Sequence, residues 1–451
     1  MNLYTTENQV LYVSDSETDT VKQAVEQAVA KQINLRNINL EGADLSGADL
    51  SGARMPYARL NYADCTGTNF TKSTLVNVNC AQTTFNGALF IDADCTDSDF
   101  TRATLDNANC TDADFTRSKF INVQCTGANF TKSTLVKANC KQTNFANSTL
   151  EDADCTGANF SYASFLNAKC ERTIFTNATL FNTDGRGTDF TMANLIDAKC
   201  ECANFTNATL INAKCTNADF TRSKFINVQC TGANFKNARL RYADCTGTDF
   251  TEATLIEADC TGADFTNAKL VDTDGTGANF IDSVFETTDC TGAYFIQTNF
   301  VNANCTGANF KNAKISDAKC ERANFTRAKF INIDGRGANF TQSTFIDVDW
   351  TNSDLTNAKI FNADCTGADF TNATLVNANC ACADITNAKL VNANCTGANF
   401  IRTKLISLDC KDCNFTGATF TNACITDSEF INCINAPAHS TSSQAVPQEV
   451  S

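Results

Sequence analysis

Ala43-Asp44-Leu45-Ser46-Gly47 runs straight into Ala48-Asp49-Leu50, so a small residue, a polar one, a large apolar one and two more polar ones return every five residues. Ala63-Asp64-Cys65-Thr66-Gly67 repeats the unit with Cys at its centre. Reading every fifth residue from Leu35 to Phe430 gives 80 positions, of which 77 are Leu, Ile, Met, Phe, Cys or Trp; the exceptions are Gly185, Gly275 and Gly335. Of the 34 Phe, 32 stand in this frame, and so do 20 of the 25 Cys. A helix turns every 3.6 residues and a strand alternates every 2, so neither satisfies a period of five. A chain that turns a corner every five residues does.

The unit resembles that of the pentapeptide-repeat family, Ala-Asp/Asn-Leu/Phe-X-X, over about 400 of the 451 residues. The resemblance implies an all-β fold, a right-handed quadrilateral parallel β-helix with four pentapeptides per coil and the central residue turned to the axis. Eighty units make about 20 coils, roughly 95 Å of solenoid at the strand spacing of about 4.8 Å. Three segments are expected: an N-terminal strand and helix cap over 1–31, the repeats over 32–436, and a disordered tail over 437–451 that holds the one histidine, His439. Residues 2 to 13 read as a short strand. Thr20 and Gln23 form a capping box ahead of Val21, Ala24, Val25, Ala28 and Val29, which share a helix face.

A period of fifteen lies over the period of five. Cys65, Cys80, Cys95, Cys110, Cys125, Cys140, Cys155 and Cys170 are separated by Phe and then Leu or Phe. Fifteen does not divide twenty, so each thiol falls one side back from the last, and every core layer receives both a small thiol and a ring, which keeps packing near the usual density. Same-side thiols are then three coils apart, too far for a disulfide. They read as small buried hydrophobes. Outside the frame, Cys202 and Cys382 stand at polar corners, either as reactive thiols or as tolerated substitutions, and Cys410-Lys411-Asp412-Cys413 is a CxxC without the strand-to-helix turn of redox motifs. No metal, cofactor or catalytic site is expected. Trp350 replaces a Cys of the series, and the three Gly leave gaps that neighbouring Phe are expected to fill.

The formal charge is −15, with 50 acidic and 35 basic side chains, which speaks against direct nucleic-acid binding through basic patches. From Asp244 to Phe310 eleven acids, Asp244, Asp249, Glu252, Glu257, Asp259, Asp264, Asp272, Asp274, Asp282, Glu286 and Asp289, face the single base Lys269. Residues 201–243 and 311–336 on either side are basic. Twenty-residue stacking places Asp244 beneath Asp264 and Glu252 beneath Asp272. Duplex DNA carries one charge per about 1.7 Å; over the belt the protein reaches that density, and over the whole solenoid it falls to about a fifth.

The family resemblance implies one well-known role: bacterial members resemble B-DNA in width and charge, occupy the DNA-binding saddle of DNA gyrase and protect it from quinolones. No loop interrupts these repeats, as loops do in those members. The expected function is that of a non-catalytic rod for protein interaction, a DNA mimic that presents the acidic belt to a topoisomerase or other DNA-binding protein, with a structural scaffold or spacer as the alternative. Solenoid ends need covering, and Phe415, Phe420, Ile425 and Phe430 are expected to meet a second copy in an end-to-end homodimer. Met1 to Val13 shows no signal-peptide pattern, and no run of 18 apolar residues occurs, so a cytoplasmic protein of a bacterial or phage-infected cell, with no membrane partner, is expected.

Overall fold

A computed structural model describes residues 1–437. The expected tail and His439 lie outside the described residues, apart from Pro437, which is buried. Two compact units are present, Met1–Asp249 and a second that begins at Phe250.

The first unit opens with a hairpin where a single strand was expected. β1 (Asn2–Tyr4) pairs antiparallel with β2 (Val10–Val13), because the chain reverses at Thr5, whose N–H bonds the Gln9 carbonyl at 2.8 Å, with Asn8 left-handed at φ 61°. The helix α1 (Val21–Ala30) carries the expected capping box: Thr20 Oγ1 accepts from Gln23 N at 3.2 Å and Gln23 Oε1 accepts from Thr20 N at 2.9 Å. Its buried residues are Ala24, Val25 and Ala28. Two contacts fasten it to the first repeats, Lys22 Nζ to the Ser46 carbonyl at 2.7 Å and Asp49 N to Glu26 Oε1 at 2.9 Å.

From Asn34 onward in this unit, single residues pair in parallel with the residue twenty positions on, one pair every five residues: Asn34 with Arg54, Asn39 with Arg59, Asp44 with Asp64, Asp49 with Asn69. Four pairs per twenty residues make a four-sided coil. The second unit follows the same rule from Thr254 and Asp274 to Asn414 and Ile434. Near its C-terminal end the pairs lengthen into true strands, β3 (Lys404–Ile406) beside β5 (Cys424–Thr426) and β4 (Asp409–Lys411) beside β6 (Glu429–Ile431).

The corner explains the repeat. In the turn after Cys125 the Ala128 N–H bonds the Cys125 carbonyl at 3.1 Å and Gly127 sits at φ 68°, the combination of a type II turn, whose third residue must be left-handed. Gly, Asn and Asp enter that region at least cost, which is why they crowd the second place after each core residue. The polar residue before the core residue has its own task. Asp154 Oδ1 accepts from Thr156 N at 2.9 Å and Thr156 Oγ1 at 2.6 Å, and Asn129 does the same for Thr131 at 3.0 and 2.6 Å. The small residue two places before the core residue is buried along most of the chain, and its hydroxyl, where it has one, in most cases donates either to the carbonyl 23 residues back, as Thr68 does to Leu45 at 2.7 Å and Thr188 to Phe165 at 2.6 Å, or to the carbonyl three back, as Ser133 does to Phe130 at 2.8 Å.

Inside, the fifteen-residue period becomes geometry. From Phe70 to Phe235 the rings at every fifteenth residue touch at 5.6 to 5.9 Å between centroids, mostly edge to face. The second unit has its own series from Phe250 to Phe340, at 5.6 to 6.3 Å. Each such pair contributes about 0.5–1.5 kcal/mol beyond its burial. Trp350, fully buried, stacks on Phe330 at 4.4 Å and 9°. None of the three core glycines is left-handed; they leave space, for the ring of Phe205 over Gly185, for Phe295 over Gly275, and for Leu355 and Ile333 over Gly335.

Candidate functional site

The acidic residues divide into two kinds. Asp244, Asp249, Asp259, Asp264, Asp274 and Asp289 stand just before a core residue and are half-buried, whereas Glu252, Glu257, Asp272, Asp282 and Glu286 stand at corners and are exposed. Most of the first kind hold turns. Asp244 accepts from Thr246 N at 3.1 Å, Asp264 from Thr266 N at 2.9 Å, Asp274 from Thr276 N at 3.0 Å and Asp289 from Thr291 N at 3.1 Å. Both Asn and Asp do this elsewhere in the chain, as Asn129 and Asp154 do, so these carboxylates are in part structural.

Asp244 and Asp249 belong to the first unit, where Asp244 pairs with Lys224 and Asp249 with Gln229. In the second unit the ladder partners distribute the acids around the coil: Asp259 pairs with Asn279, Asp264 with Val284, Asp274 with Tyr294 and Asp289 with Lys269. Those are four different columns. The charge is therefore a girdle over four sides, not a stripe along one. At the corners, Glu252 and Asp272 stack twenty residues apart, with Glu252 N bonding the Val271 carbonyl at 2.9 Å. Asp282 Oδ1 accepts from Asn302 Nδ2 at 2.9 Å, and Glu286 Oε1 from Asn304 Nδ2 at 2.7 Å. Asp272 and Glu257 lie across Gly292 and Gly277, the corner glycines of the next coil.

The expected dimer end is only partly an end. Phe415 is buried, because its N–H bonds the Ile434 carbonyl at 2.9 Å and the last described residues pass over it. Phe420, Ile425 and Phe430 are half-buried, and Ile431 and Ile434 add exposed apolar surface beside them.

None of the 25 cysteines is joined in a disulfide. Those in the core frame are buried, and burial pushes most of them up, Cys380 to about 12 and Cys155 well above the ordinary thiol range. Cys202 is exposed and Cys382 half-buried, both left-handed at φ 60° and 62°. One arrangement escaped the sequence reading. Cys410, Cys413 and Cys433 bring their sulfurs within 4.8 Å of one another, with Cys410 Sγ 2.8 Å from Cys413 Sγ and 3.6 Å from Cys433 Sγ. The signal lies in the coil length: Cys433 follows Cys410 by 23 residues, the spacing at which Thr68 meets Leu45, and it becomes visible only once a coil is known to hold twenty residues.

Among the described residues no helix is long and apolar enough to cross a membrane. The family model for pentapeptide repeats (8 copies) matches residues 26–90, 93–289 and 378–432 in overlapping segments, and that for the pentapeptide repeat region matches 303–379. No curated protein matches the chain. Among solved structures, the plasmid-mediated fluoroquinolone resistance protein QnrB1 aligns at 15% identity over 40% of this chain and 92% of its own, with a TM-score of 0.31. HetL, a pentapeptide repeat protein involved in heterocyst differentiation regulation from the cyanobacterium Nostoc sp. strain PCC 7120, aligns at 25% identity over 55% of this chain and 94% of its own, with a TM-score of 0.19. Rfr23 from the cyanobacterium Cyanothece 51142 aligns at 24% identity over 32% and 89%, with a TM-score of 0.19. With the family models matching most of residues 26–432 and the five-residue frame folded into four-sided coils that pair every twenty residues, the chain belongs to the pentapeptide repeat family.

Proposed function

We propose that this protein is a non-catalytic interaction module whose acidic girdle receives the basic surface of a DNA-binding protein, such as a topoisomerase of the gyrase type. The observation that carries this reading is the set of exposed corner acids, Glu252, Glu257, Asp272, Asp282 and Glu286, standing between turn-holding aspartates on all four sides of the second unit's first coils. A concave basic site that embraces the coil meets charge from several sides at once; a flat one meets a single column. Basic stretches before and after the girdle limit the mimicry of DNA to this segment and set its register on a partner. Under the same proposal the coils wind right-handed, about 20 in number, α1 caps their start, and Phe420, Ile425 and Phe430 join two copies end to end in the cytoplasm.

Corner charge can be reversed without disturbing the turns. Lys72, Arg117 and Lys137 already occupy the left-handed corner place of Glu252, Glu257, Asp272 and Asp282, at φ 58°, 58° and 56°, and Lys141 stands directly after its core residue as Glu286 does. The test is a supercoiling assay of purified DNA gyrase with the protein in excess, at low and high salt, comparing the native chain with a variant that carries Lys at 252, 257, 272, 282 and 286. Inhibition by the native chain that fades with salt and is lost in the variant is the expected result. Unchanged gyrase activity, together with no salt-sensitive binding to any purified type II topoisomerase, would leave the scaffold reading in its place.

A further inference from the structure

Cys410, Cys413 and Cys433 are the one group of three ligand-type side chains that converge among the described residues. Their meeting follows from the architecture of the second unit. Cys410 is the core residue of β4, Cys413 follows it around one corner, and Cys433 lies one coil beyond Cys413 in the same column. Both Cys413 and Cys433 take the small-residue place that Ser and Thr fill elsewhere; Cys413 Sγ donates to the Leu390 carbonyl as Ser428 Oγ does to Leu405 at 2.7 Å. A thiol in that place reaches inward, over the core residue 23 positions earlier. Cys410 and Cys413 are buried and Cys433 is half-buried, so the cluster opens toward solvent on the Cys433 side.

We propose that these three thiols bind a thiophilic divalent cation, Zn²⁺ by chemistry, with a water in the fourth position. Zn²⁺ takes thiolate sulfur at about 2.3 Å in a tetrahedral set, which sets the sulfurs about 3.8 Å apart. The pairs already stand at 2.8 and 3.6 Å, and all three lie within 4.8 Å, so side-chain rotation suffices. Binding forms three S–Zn bonds and releases the three S–H protons to solvent, with no change of oxidation state. The Cys410 S–H already donates to the Cys413 sulfur. The ion would link β4 to the chain just past β6, clipping the last coil to the one before it.

The test is Co²⁺ and Zn²⁺ titration of the full-length, reduced protein. One Co²⁺ per chain with a thiolate-to-cobalt charge-transfer band, displaced by Zn²⁺ and accompanied by a rise in thermal midpoint, is the expected result. Cys413→Ser and Cys433→Ser should abolish the band while keeping the fold, since Ser428 already serves in that place, and Cys202→Ser should leave it unchanged. Absence of stoichiometric metal in the native chain, or an equal band in Cys433→Ser, would overturn the proposal.

Discussion

Gly275 makes room for the ring of Phe295 in the next coil: a Cβ at residue 275 would stand 2.7 Å from Cδ1 and 2.8 Å from Cε1 of that ring. Gly185 is looser, at 3.2 Å from Phe205 Cδ1. Overpacking a filled core costs about 1–3 kcal/mol. Gly275→Ala should therefore lower the thermal midpoint clearly and Gly185→Ala much less, as calorimetry of the two variants would show. Equal midpoints would mean that the rings move freely.

The turn-holding carboxylates need an acceptor, not a charge. Asp154→Asn should leave stability nearly unchanged, because Asn129 holds the same turn, while Asp154→Ala should cost about 1 kcal/mol in urea denaturation for the lost bonds. The same contrast at Asp264 separates binding from folding. Asp264→Asn should weaken capture of a basic partner without moving the denaturation midpoint.

Thiol reactivity should follow position in the coil. With the native chain, a thiol reagent should modify the exposed Cys202 and Cys424 first and the half-buried Cys382 and Cys433 more slowly, leaving the core frame untouched until unfolding. Peptide mapping of the labelled sites is the check; labelling of Cys140 in the native state would contradict the packed core.

Alkali should unfold the protein progressively. Burial holds Cys155 well above the ordinary thiol range and Cys380 at about 12, whereas the unfolded chain ionises its thiols near about 8.5. Below that value both states keep the proton and these thiols add no pH dependence. Above it the unfolded state has lost protons that the folded state retains, so stability falls with rising pH by roughly 1.4 kcal/mol per thiol and pH unit. For Cys380 the loss ends near its folded value of about 12. Thermal midpoints measured upward from about pH 8.5 should decline, and Cys155→Ala should decline less steeply.

Much was legible in the chain because a fixed period leaves little choice. A large apolar residue at 77 of the 80 fifth positions from Leu35 to Phe430 is compatible with neither common helix nor strand, and the corner demands a left-handed residue where Gly, Asn and Asp stand. The N-terminal hairpin was not legible, since its reversal depends on Thr5 bonding Gln9 across a turn that no repeat announces. The burial of Phe415 by Ile434 was missed for a related reason: it depends on where the last coil stops.

Sequence alone determined the five-residue frame, the identity of its core and the total charge of the acidic segment, because each is a property of order along the chain. Tertiary structure decided what meets what. The twenty-residue closure distributed Asp259, Asp264, Asp274 and Asp289 over four columns, and it laid Cys433 against Cys410. Both follow from residues twenty or so apart being carried one coil on, at strand distance, which the order of residues does not state until the chain has wound.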